Sequence, residues 1–589
     1  MPITILTTRT GTISVICLLI SLFAAAVQPA WAESEDVTAT KPRLVVLTDI
    51  GTEPDDAQSM VRLLTYANEF DIEGLIAGTS RHLIGETHPE LIEERVQAYG
   101  QVLERLRRHA SGYPDTEQLL KVIRSGSEAY GMAGVGRNKG SPGSQLLIEA
   151  VDKEDPRPLW VLVWGGASSL AQALWTVRET RSPEQVKAFV AKLRVYTISD
   201  QDDASVWART EFPRLFWITS VHGFTQYRLA TWLGMTVRTP GADSQLLSPG
   251  WLNEHIRSHG VLGGRYPSAV FGVEGDTPSF LYLIPNGLGH AEHPGWGSWG
   301  GRYGKPADFV GLWTNVADTV TGIDGNRHMG NQETVWRWRQ AVQHDFAARM
   351  DWSITNDYHE ANHPPLAILN NRTGSEPVYL TACAGDPVEL NAAGTHDPDG
   401  DRVSIHWWHY AEATEGFFAR SSDVFTAHVE LKESRDNAVT VIVHPWLQPA
   451  DRPLPPVYDV HIIMEATDSG TPALTRYRRA VISIPTGKGT VGKGCQPIQY
   501  APRGTPWYKR NDPIQGPDSG LGLMTPIGVL LDHPEARKVL EQFAPEIVNG
   551  SSPALRDLTL RGVASFVPRL SDTVLEEIER ALARLDRSS

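Results

Sequence analysis

Apolar runs of strand type alternate with amphipathic helical patterns from residue 41 to about residue 360. The runs typical of buried strands are 43–48, 72–77, 159–163, 193–198 and 215–219. After the first run, Met60, Leu63, Leu64 and Ala67 share one face of a helical pattern. This alternation predicts an α/β domain over 41–362, with a mainly parallel sheet and flanking helices.

The pattern changes around His363-Pro364-Pro365, where short alternating strands separated by turn residues begin. These predicted strands are 388–390, 403–409, 438–443, 458–466 and 480–484, and they indicate a β-sandwich over 365–486. A Gly/Pro-rich stretch over 487–520 is typical of a linker. Helical patterns at 526–531, 535–543, 553–566 and 571–585 predict a small helical C-terminal domain over 521–589.

Residues 1–32 have the features of a secretory signal peptide. Arg9 is their only charged residue, an apolar core spans 13–27, and Ala30-Trp31-Ala32 offers a cleavage site. The apolar run is too short for a membrane span, and no later stretch is long enough. We therefore expect a secreted or periplasmic protein with no membrane span after removal of the signal.

Composition narrows the classes of partner. A formal net charge of −15 over 589 residues argues against a nucleic-acid-binding surface. Cys17 lies in the predicted signal, so Cys383 and Cys495 are the two thiols available for one disulfide in an oxidising compartment. Whether they are bridged is left open by the sequence, as is the oligomeric state.

Three aspartates follow the first predicted strand within eight residues. Asp49 comes directly after the strand, and Asp55 and Asp56 open the next helix after a Gly/Pro turn. One side chain suffices to cap a helix, and a helix N-terminus stabilises a negative charge by only about 0.3–1 kcal/mol. Repulsion between three carboxylates therefore favours a bound cation such as Ca²⁺, which prefers oxygen ligands. An ordinary turn with N-capping aspartates is the alternative.

Two later strands end in residues suited to ligand contact. Trp164-Gly165-Gly166 follows one strand, and paired glycines let the backbone approach a ligand. Asp200, Gln201 and Asp202 follow the next strand, with Trp207 nearby. Carboxylate and amide oxygens accept hydrogen bonds from sugar hydroxyls, and ligands of parallel sheets bind beyond the strand C-termini. A tight turn and a solvated loop are the alternatives for these two segments.

Two more segments carry candidates. A long loop-like stretch contains Glu274, Asp276, His293, Trp296 and Trp299. Its tryptophan and glycine content favours an ordered binding lip over a disordered loop. Further on, Asp345 and Arg349 stand four residues apart in a helical pattern, where a surface ion pair is the alternative to a functional role.

Together these segments resemble a family of secreted proteins with a nucleoside-hydrolase-like N-terminal domain, some of them described as cellulose-binding. The motifs that carry the resemblance are TDIGTEPDDAQS, SDQDDASVWAR, EGDTPSFLYLIPNGL, HPGWGSWGGRY and WRWRQAVQHDFAARMDW. The resemblance implies a nucleoside-hydrolase-like α/β fold followed by an immunoglobulin-like sandwich. In that sandwich, the segment Asp397-Pro398-Asp399-Gly400-Asp401 is similar to loops that bind calcium or form a turn. Both alternatives stay open.

The resemblance to nucleoside hydrolases implies Ca²⁺ as the cofactor and a role for each aspartate of the first motif. Asp49 matches the general base and calcium ligand, Asp56 the bidentate calcium ligand, and Asp55 the carboxylate that binds a sugar hydroxyl. The turn is two residues longer than in nucleoside hydrolases, so Glu53 competes for one of these roles.

The same resemblance implies two further calcium ligands. The main-chain carbonyl of Trp164 takes the place of the family's backbone ligand. His344-Asp345 resembles the His-Asp pair that supplies the last ligand, with Asp351 as the rival. The Asn/Glu set that holds ribose in nucleoside hydrolases is absent from this chain.

We therefore predict a secreted calcium-dependent glycoside hydrolase acting on an N- or O-glycosidic bond of a plant or microbial saccharide. A metal-activated water would attack, Asp49 would take its proton, and His293 or His344 would protonate the leaving group. The predicted substrate contacts are Asp55, Asp200, Gln201, Asp202, Trp207, Glu274, Asp276, Trp296 and Trp299. The alternatives are a non-catalytic polysaccharide-binding (cellulose-binding) protein and a periplasmic nucleoside hydrolase.

Overall fold

The computed structural model describes residues 41–223, 226–236, 241–269, 272–306, 310–414, 429–433, 437–444, 457–485, 521–523, 525–549, 556, 559–563, 567 and 570–586. The predicted signal peptide, the linker over 487–520 and Cys495 lie outside these residues. All the described residues fall within one compact unit, Ala39–Ser589. None of their helices combines the length and apolarity that crossing a membrane requires.

An eight-stranded sheet forms the centre of the N-terminal part. Its strands are β1 (Arg43–Thr48), β2 (Asp71–Ala77), β3 (Ile123–Ser125), β4 (Leu159–Val163), β5 (Leu193–Ser199), β6 (Phe216–Ser220), β7 (Tyr303–Gly304) and β8 (Leu312–Asn315). Their order is β3-β2-β1-β4-β5-β6-β8-β7, and every neighbouring pair is parallel except β7 with β8. The predicted α/β class with a mainly parallel sheet is confirmed.

Helices accompany this sheet along the chain. They are α1 (Pro54–Thr65), α2 (Pro89–His109), α3 (Thr116–Leu120), α4 (Pro142–Asp152), α5 (Ser168–Thr180), α6 (Pro183–Ala191), α7 (Ala204–Glu211), α8 (Leu233–Thr236), α9 (Pro249–Leu252), α10 (Gly260–Gly263), α11 (Pro278–Leu281), α12 (Glu333–Trp336) and α13 (Arg339–Trp352).

Both faces of the sheet are covered by apolar side chains. Along β1, Leu44 and Val46 belong to a core that also includes residues of α1, α2 and α13. Val45 and Leu47 belong to a second core with α4, α5, α6 and α7. Burial on both faces explains why β1 is a continuous apolar run rather than an alternating one.

Two smaller sheets form the sandwich region, and a short hairpin precedes them. The strands are β9 (Asp318–Thr321), β10 (Arg327–Gly330), β11 (Val378–Thr381), β12 (Pro387–Asn391), β13 (Ser404–His409), β14 (Val429–Glu433), β15 (Ala438–Val443), β16 (Val457–Thr467) and β17 (Thr475–Pro485). The sheet orders are β11-β17-β16-β13 and β12-β15-β14. Cys383 is disulfide-bonded, and its partner lies outside the described residues.

The stretch after residue 285 packs against β17 and joins the two domains. Arg479 donates from Nε to the carbonyl of Leu288 (2.8 Å) and from Nη2 to the carbonyl of Trp296 (2.9 Å). The Tyr477 amide donates to the carbonyl of Asn286 (2.9 Å). Gly287 has φ of 86°, and a Cβ there would lie 1.8 Å from the Tyr477 carbonyl oxygen. This segment is therefore a domain interface.

The C-terminal residues form helices around their own apolar core. These helices are α14 (Ile527–Asp532), α15 (Pro534–Phe543), α16 (Pro545–Asn549), α17 (Leu560–Val563) and α18 (Asp572–Asp586). Ile527, Leu530, Leu540, Ile578 and Leu582 are buried together. Of the helix predicted over 553–566, the structure describes residue 556 and the segment 559–563.

Candidate functional site

Four aspartates meet beyond the C-terminal end of β1. Asp55, Asp56 and Asp276 each place a carboxylate oxygen within 4.8 Å of the other two. Asp49 adds a fourth carboxylate, whose negative charge acts on all three. The local sequence explains the arrangement, because Gly51 (φ 143°) turns the chain and Pro54 opens α1 with Asp55 and Asp56 in its first turn. We call these four residues the aspartate cluster.

Two of the four aspartates accept hydrogen bonds from hydroxyl groups. The Thr48 hydroxyl donates to Asp56, and the Ser80 hydroxyl donates to Asp49. Oδ2 of Asp276 is buried without a hydrogen-bond partner among the described residues. Within that part of the chain, no lysine or arginine forms an ion pair with any of the four aspartates.

Burial raises the pKa of every member of the cluster. The pKa of Asp55, which is partly exposed, rises to about 6 because of burial and the neighbouring charges of Glu53 and Asp49. Burial and mutual repulsion raise the pKa of Asp56 and Asp276 well above the usual range, and burial also raises the pKa of Asp49. Burial and mutual repulsion therefore oppose ionisation of the four carboxylates, and a bound cation would relieve that repulsion.

The donor set fits a hard divalent cation. Clustered carboxylate oxygens, with an unpartnered oxygen on Asp276, are the ligands that Ca²⁺ prefers. A Cβ at Gly165 would lie 2.3 Å from Oδ1 of Asp49, so this position has no room for a side chain. The preceding carbonyl, of Trp164, accepts from Nε2 of Gln201 at 2.7 Å, and Oε1 of Gln201 is buried with no partner in the described part of the chain.

Four ring side chains beside the cluster were missed by the sequence analysis. They are His82, His222, Tyr227 and Trp232, which we call the aromatic rim, and all four are partly exposed. The Tyr227 ring centroid lies 6.2 Å from that of Trp232, 5.1 Å from that of His222 and 6.2 Å from that of His82. His82 and His222 follow the C-terminal ends of β2 and β6, so the rule that located the aspartates could have found them.

The aromatic rim is fixed to the cluster by close contacts. A Cβ at Gly275 would lie 2.8 Å from Oδ2 of Asp55 and 3.1 Å from the Trp232 ring, so Gly275 separates the two by no more than its backbone. Nε1 of Trp232 donates to Ser199 Oγ (2.9 Å), which is 2.7 Å from Nε2 of His222. Nδ1 of His82 lies 3.9 Å from a carboxylate oxygen of Glu53.

The structure does not bring Asp345, a predicted metal ligand, to the aspartate cluster. Its Oδ1 accepts from the Tyr66 hydroxyl (2.7 Å) and from Nε of Arg349 (3.0 Å), and its Oδ2 accepts from Nη1 of Arg476 (2.7 Å). Burial opposes ionisation, yet Arg476 and Arg349 hold the pKa of Asp345 well below its usual value. Asp345 is an ion-pair partner that ties α13 to β17, and Asp276 supplies the distant carboxylate of the cluster instead.

Asp351 and the two predicted proton donors also lie elsewhere. Asp351 is bound to Nε2 of His259 (2.8 Å). Nδ1 of His344 faces the carbonyl of Ala473 in the sandwich (3.0 Å). The ring of His293 stacks on that of Trp296 with centroids 4.1 Å apart. The structure therefore brings none of these groups to the aspartate cluster.

The segment predicted to form a binding lip is ordered, but its two tryptophans face the sandwich. Trp296 and Trp299 are only 8% and 1% exposed. Trp296 packs against Tyr379 and His461 of the sandwich, and Trp299 against Tyr477. Their indole faces are occupied by protein, so they have no free surface for a sugar ring.

Several other predicted substrate contacts have structural partners. Both carboxylate oxygens of Asp200 accept from Arg209 (2.6 and 2.7 Å). Trp207 packs on Phe212 and under Arg178. Both side chains are partly exposed and already have partners within the α/β domain.

Glu274 and Asp202 fix the backbone around the cluster. Glu274 is buried and accepts from Nη2 of Arg62 (3.0 Å) and from the Tyr266 hydroxyl (2.7 Å). Asp202 accepts from the amides of Ala204 (3.0 Å) and Ala167 (2.9 Å), and burial raises its pKa to about 6. Both residues therefore contribute to holding the segments around the cluster.

Two family descriptions match the chain. Residues 43–303 match "Cellulose-binding Sde182, nucleoside hydrolase-like domain". Residues 387–484 match "Cellulose-binding protein Sde0182, C-terminal domain". A comparison with curated proteins gives no match.

Among solved structures, a nucleoside hydrolase-related hypothetical protein from Saccharophagus degradans, associated with carbohydrate metabolism, is 35% identical with a TM-score of 0.63. That match covers 76% of this chain and 100% of the other. The effector protein XOO4466 and the type III effector XopQ complexed with adenosine diphosphate ribose are each 10% identical over 58% of this chain. These two matches cover 99% and 100% of the effectors, with TM-scores of 0.30 and 0.26, and carry no argument.

Proposed function

Because the chain belongs to the family of cellulose-binding Sde182 proteins with a nucleoside hydrolase-like domain, we propose that it is a secreted calcium-dependent glycoside hydrolase. The observation that carries the proposal is the aspartate cluster, whose carboxylates have no cationic side-chain partner among the described residues. The sugar partner is supported by the family description and by the aromatic rim. Secretion is supported by the signal-like sequence of residues 1–32.

Asp49, Asp55, Asp56 and Asp276 are the residues that would hold calcium, with the Trp164 carbonyl as a further oxygen ligand. When bound, calcium would supply Lewis-acid polarisation and an anchoring charge for hydroxyl oxygens. The hydroxyls of Thr48 and Ser80 orient two of the carboxylates, so the set is preorganised by side chains of the strand ends.

Asp49 is the residue we assign as general base. Ser80 holds one of its oxygens, and the other lies against Gly165, where no side chain intervenes. Burial raises its pKa, which brings its basicity closer to neutral pH. Asp49 would accept the proton of a water that attacks the anomeric carbon, as in inverting hydrolysis.

The aromatic rim is the surface we assign to the sugar. Trp232 lies beside Asp55, with the Tyr227 ring centroid 6.2 Å from its own, and aromatic rings pack well against the apolar face of a sugar. His82 and His222 replace His293 and His344 as candidate proton donors to the leaving group, because both imidazoles lie against Tyr227 in the aromatic rim.

Turnover of a substrate panel tests this proposal. The panel comprises aryl-furanosides, aryl-pyranosides and nucleosides, each assayed with calcium and with a chelator. We expect turnover of at least one sugar substrate that is lost on chelation and in Asp49→Asn. Asp200→Asn is the matched control, since it makes the same change at a neighbouring strand end outside the cluster, and it should keep turnover.

A non-catalytic polysaccharide-binding protein is the second candidate, because both matched parts of the chain carry a cellulose-binding description. Pull-down on insoluble cellulose distinguishes the two. Should Asp49→Asn bind sugar as well as the unaltered protein while no substrate is turned over with calcium, the hydrolase proposal is overturned. Turnover of nucleosides alone would instead identify a nucleoside hydrolase.

A further inference from the structure

A second group of buried oxygens lies where the α/β domain meets the sandwich. Asn362 follows α13, Asp397 turns the loop between β12 and β13, and Asp468 opens the loop between β16 and β17. The three residues are only 7%, 8% and 5% exposed. We call them the junction oxygens. They are far in sequence from the aspartate cluster and use none of its residues.

Backbone groups hold each junction residue in a fixed orientation. Oδ1 of Asp397 accepts from the amides of Asp399 (2.8 Å) and Asp401 (3.2 Å). Oδ1 of Asp468 accepts from the amides of Gly470 (2.9 Å) and Leu474 (3.0 Å).

The Asn362 amide is also oriented by its contacts. Its Nδ2 donates to the Pro472 carbonyl (2.8 Å) and to Oδ1 of Asp468 (3.1 Å). Both partners of this nitrogen are acceptors, so the nitrogen and oxygen of the side-chain amide cannot exchange positions. Its oxygen therefore points away from them.

The second oxygen of each residue is left without a partner. Oδ1 of Asn362, Oδ2 of Asp397 and Oδ2 of Asp468 are buried with no hydrogen bond in the described part of the chain. Buried acceptors are normally satisfied, and a native structure that leaves three on one junction needs a reason. All three atoms are acceptors, so they cannot satisfy one another, and a donor or a cation must do so.

The loops that carry these oxygens are in contact. The hydroxyl of Ser469 donates to Oδ1 of Asp401 (3.1 Å) and accepts from the amide of Arg402 (3.2 Å). Within the described residues, no lysine or arginine forms an ion pair with Asp397 or Asp468.

We propose that the junction oxygens bind a calcium ion that fixes the sandwich to the end of the α/β domain. Two carboxylates and an amide, with no nitrogen or sulfur donor, favour a hard cation, and the flexible ligand number of Ca²⁺ suits it better than Mg²⁺. One ligand belongs to the segment after α13 and two belong to sandwich loops, so a bound ion would link the domains. This site is independent of the proposed hydrolase function.

Tyrosine- and tryptophan-sensitised terbium emission tests the site directly. Nε1 of Trp352 donates to the Asn362 carbonyl (2.9 Å), so an indole lies beside the proposed site. The experiment uses the full chain carrying Asp56→Asn and Asp276→Asn, which disables the aspartate cluster. We expect this protein to retain one calcium per chain by equilibrium dialysis and to sensitise bound Tb³⁺.

Adding Asp397→Asn and Asp468→Asn should remove that ion and its emission, whereas Asp386→Asn, an exposed change in the same domain, should remove neither. Trp352→Phe should weaken emission while calcium stoichiometry stays at one. If the double-aspartate variant does not fold, a calcium-specific rise in Tm of the parent protein, absent with Mg²⁺, replaces it as the supporting result. Zero calcium bound by the folded parent, or unchanged binding after loss of both carboxylates, would overturn the proposal and leave water as the partner of these oxygens.

Discussion

The α/β domain buries two kinds of aspartate, whose pKa values are shifted in opposite directions. Asp318 accepts from Nε of Arg302 (2.6 Å), Nη1 of Arg337 (2.8 Å) and the Tyr410 hydroxyl (2.6 Å). Burial opposes its ionisation, but the two arginines lower its pKa. In the aspartate cluster, burial and mutual repulsion raise the pKa instead, and hydroxyls are the side-chain donors.

The difference separates structural carboxylates from functional ones. A buried carboxylate with its own arginines is complete within the fold and contributes to cohesion between elements. Several buried carboxylates that repel one another and have no cationic partner, as in the aspartate cluster, favour a bound cation. Asp345 belongs to the first kind and Asp276 to the second, although the sequence analysis had predicted a metal ligand at Asp345 and not at Asp276.

The largest expected effect is on catalysis. Asp49→Asn should lower kcat by roughly 10²–10⁴-fold, because it removes the general base while keeping shape. Steady-state kinetics on the substrate found in the panel measures this loss. The circular dichroism spectrum and Tm should not fall, since the substitution removes a poorly stabilised charge. A parallel fall in Tm would place Asp49 with the structural carboxylates.

The arginine-bound carboxylate should give the opposite result. Asp318→Asn is expected to lower the free energy of unfolding by about 3–5 kcal/mol, because Arg302 and Arg337 are left buried without their partner. Urea denaturation measures the change. Asp200→Asn breaks a more exposed ion pair with Arg209 and should cost only about 0–1 kcal/mol. Equal losses in the two variants would contradict the comparison.

Within the cluster, removing a charge should stabilise the calcium-free protein. The pKa of Asp55 is about 6 in the folded state and near 3.8 when unperturbed, so its ionised form is penalised by folding. This penalty is absent below about pH 4 and complete above about pH 6. Asp55→Asn should therefore raise the free energy of unfolding by up to about 3 kcal/mol at pH 7 in chelator.

The pH dependence is the internal control for that variant. Denaturation at pH 4 in chelator should show little difference between Asp55→Asn and the unaltered protein. A stabilisation of the same size at both pH values would mean that charge is not the cause.

The smallest expected effect is on metal affinity. Protons and calcium compete for carboxylates of raised pKa, so calcium should bind several-fold more weakly at pH 5 than at pH 7. Isothermal titration calorimetry at the two pH values measures this, with the Asp397→Asn, Asp468→Asn variant used to isolate the cluster. An affinity that does not change with pH would argue against ligation by these carboxylates.

Sequence predicted the parts of the site that are local. Asp49, Asp55 and Asp56 stand on one strand–turn–helix unit, so their proximity follows from eight residues. The strands of the central sheet were found for the same reason, because buried parallel strands are continuous apolar runs. The class of fold followed from their alternation with helices.

Two of the predicted site residues lie elsewhere because of contacts that join distant segments. Asp345 has a plausible neighbour in Arg349, but Arg476 comes from the sandwich and no local pattern reveals it. Trp296 is a residue type that often stacks on sugar rings. Only the contacts with Tyr379 and His461 show that its ring is covered by protein. Trp232 was missed because it lies in irregular structure after β6, where periodicity gives no signal.

The hydrogen bonds from Arg479 to the Leu288 and Trp296 carbonyls make the sandwich an integral part of the structure of the α/β domain. Truncation of the protein after α13 would expose Trp296 and Trp299. It would also leave the Leu288 carbonyl without its donor, Arg479. An exposed aromatic surface with an unsatisfied hydrogen-bond acceptor favours self-association. We therefore expect the two domains to remain soluble when they are expressed together and to aggregate when they are separated.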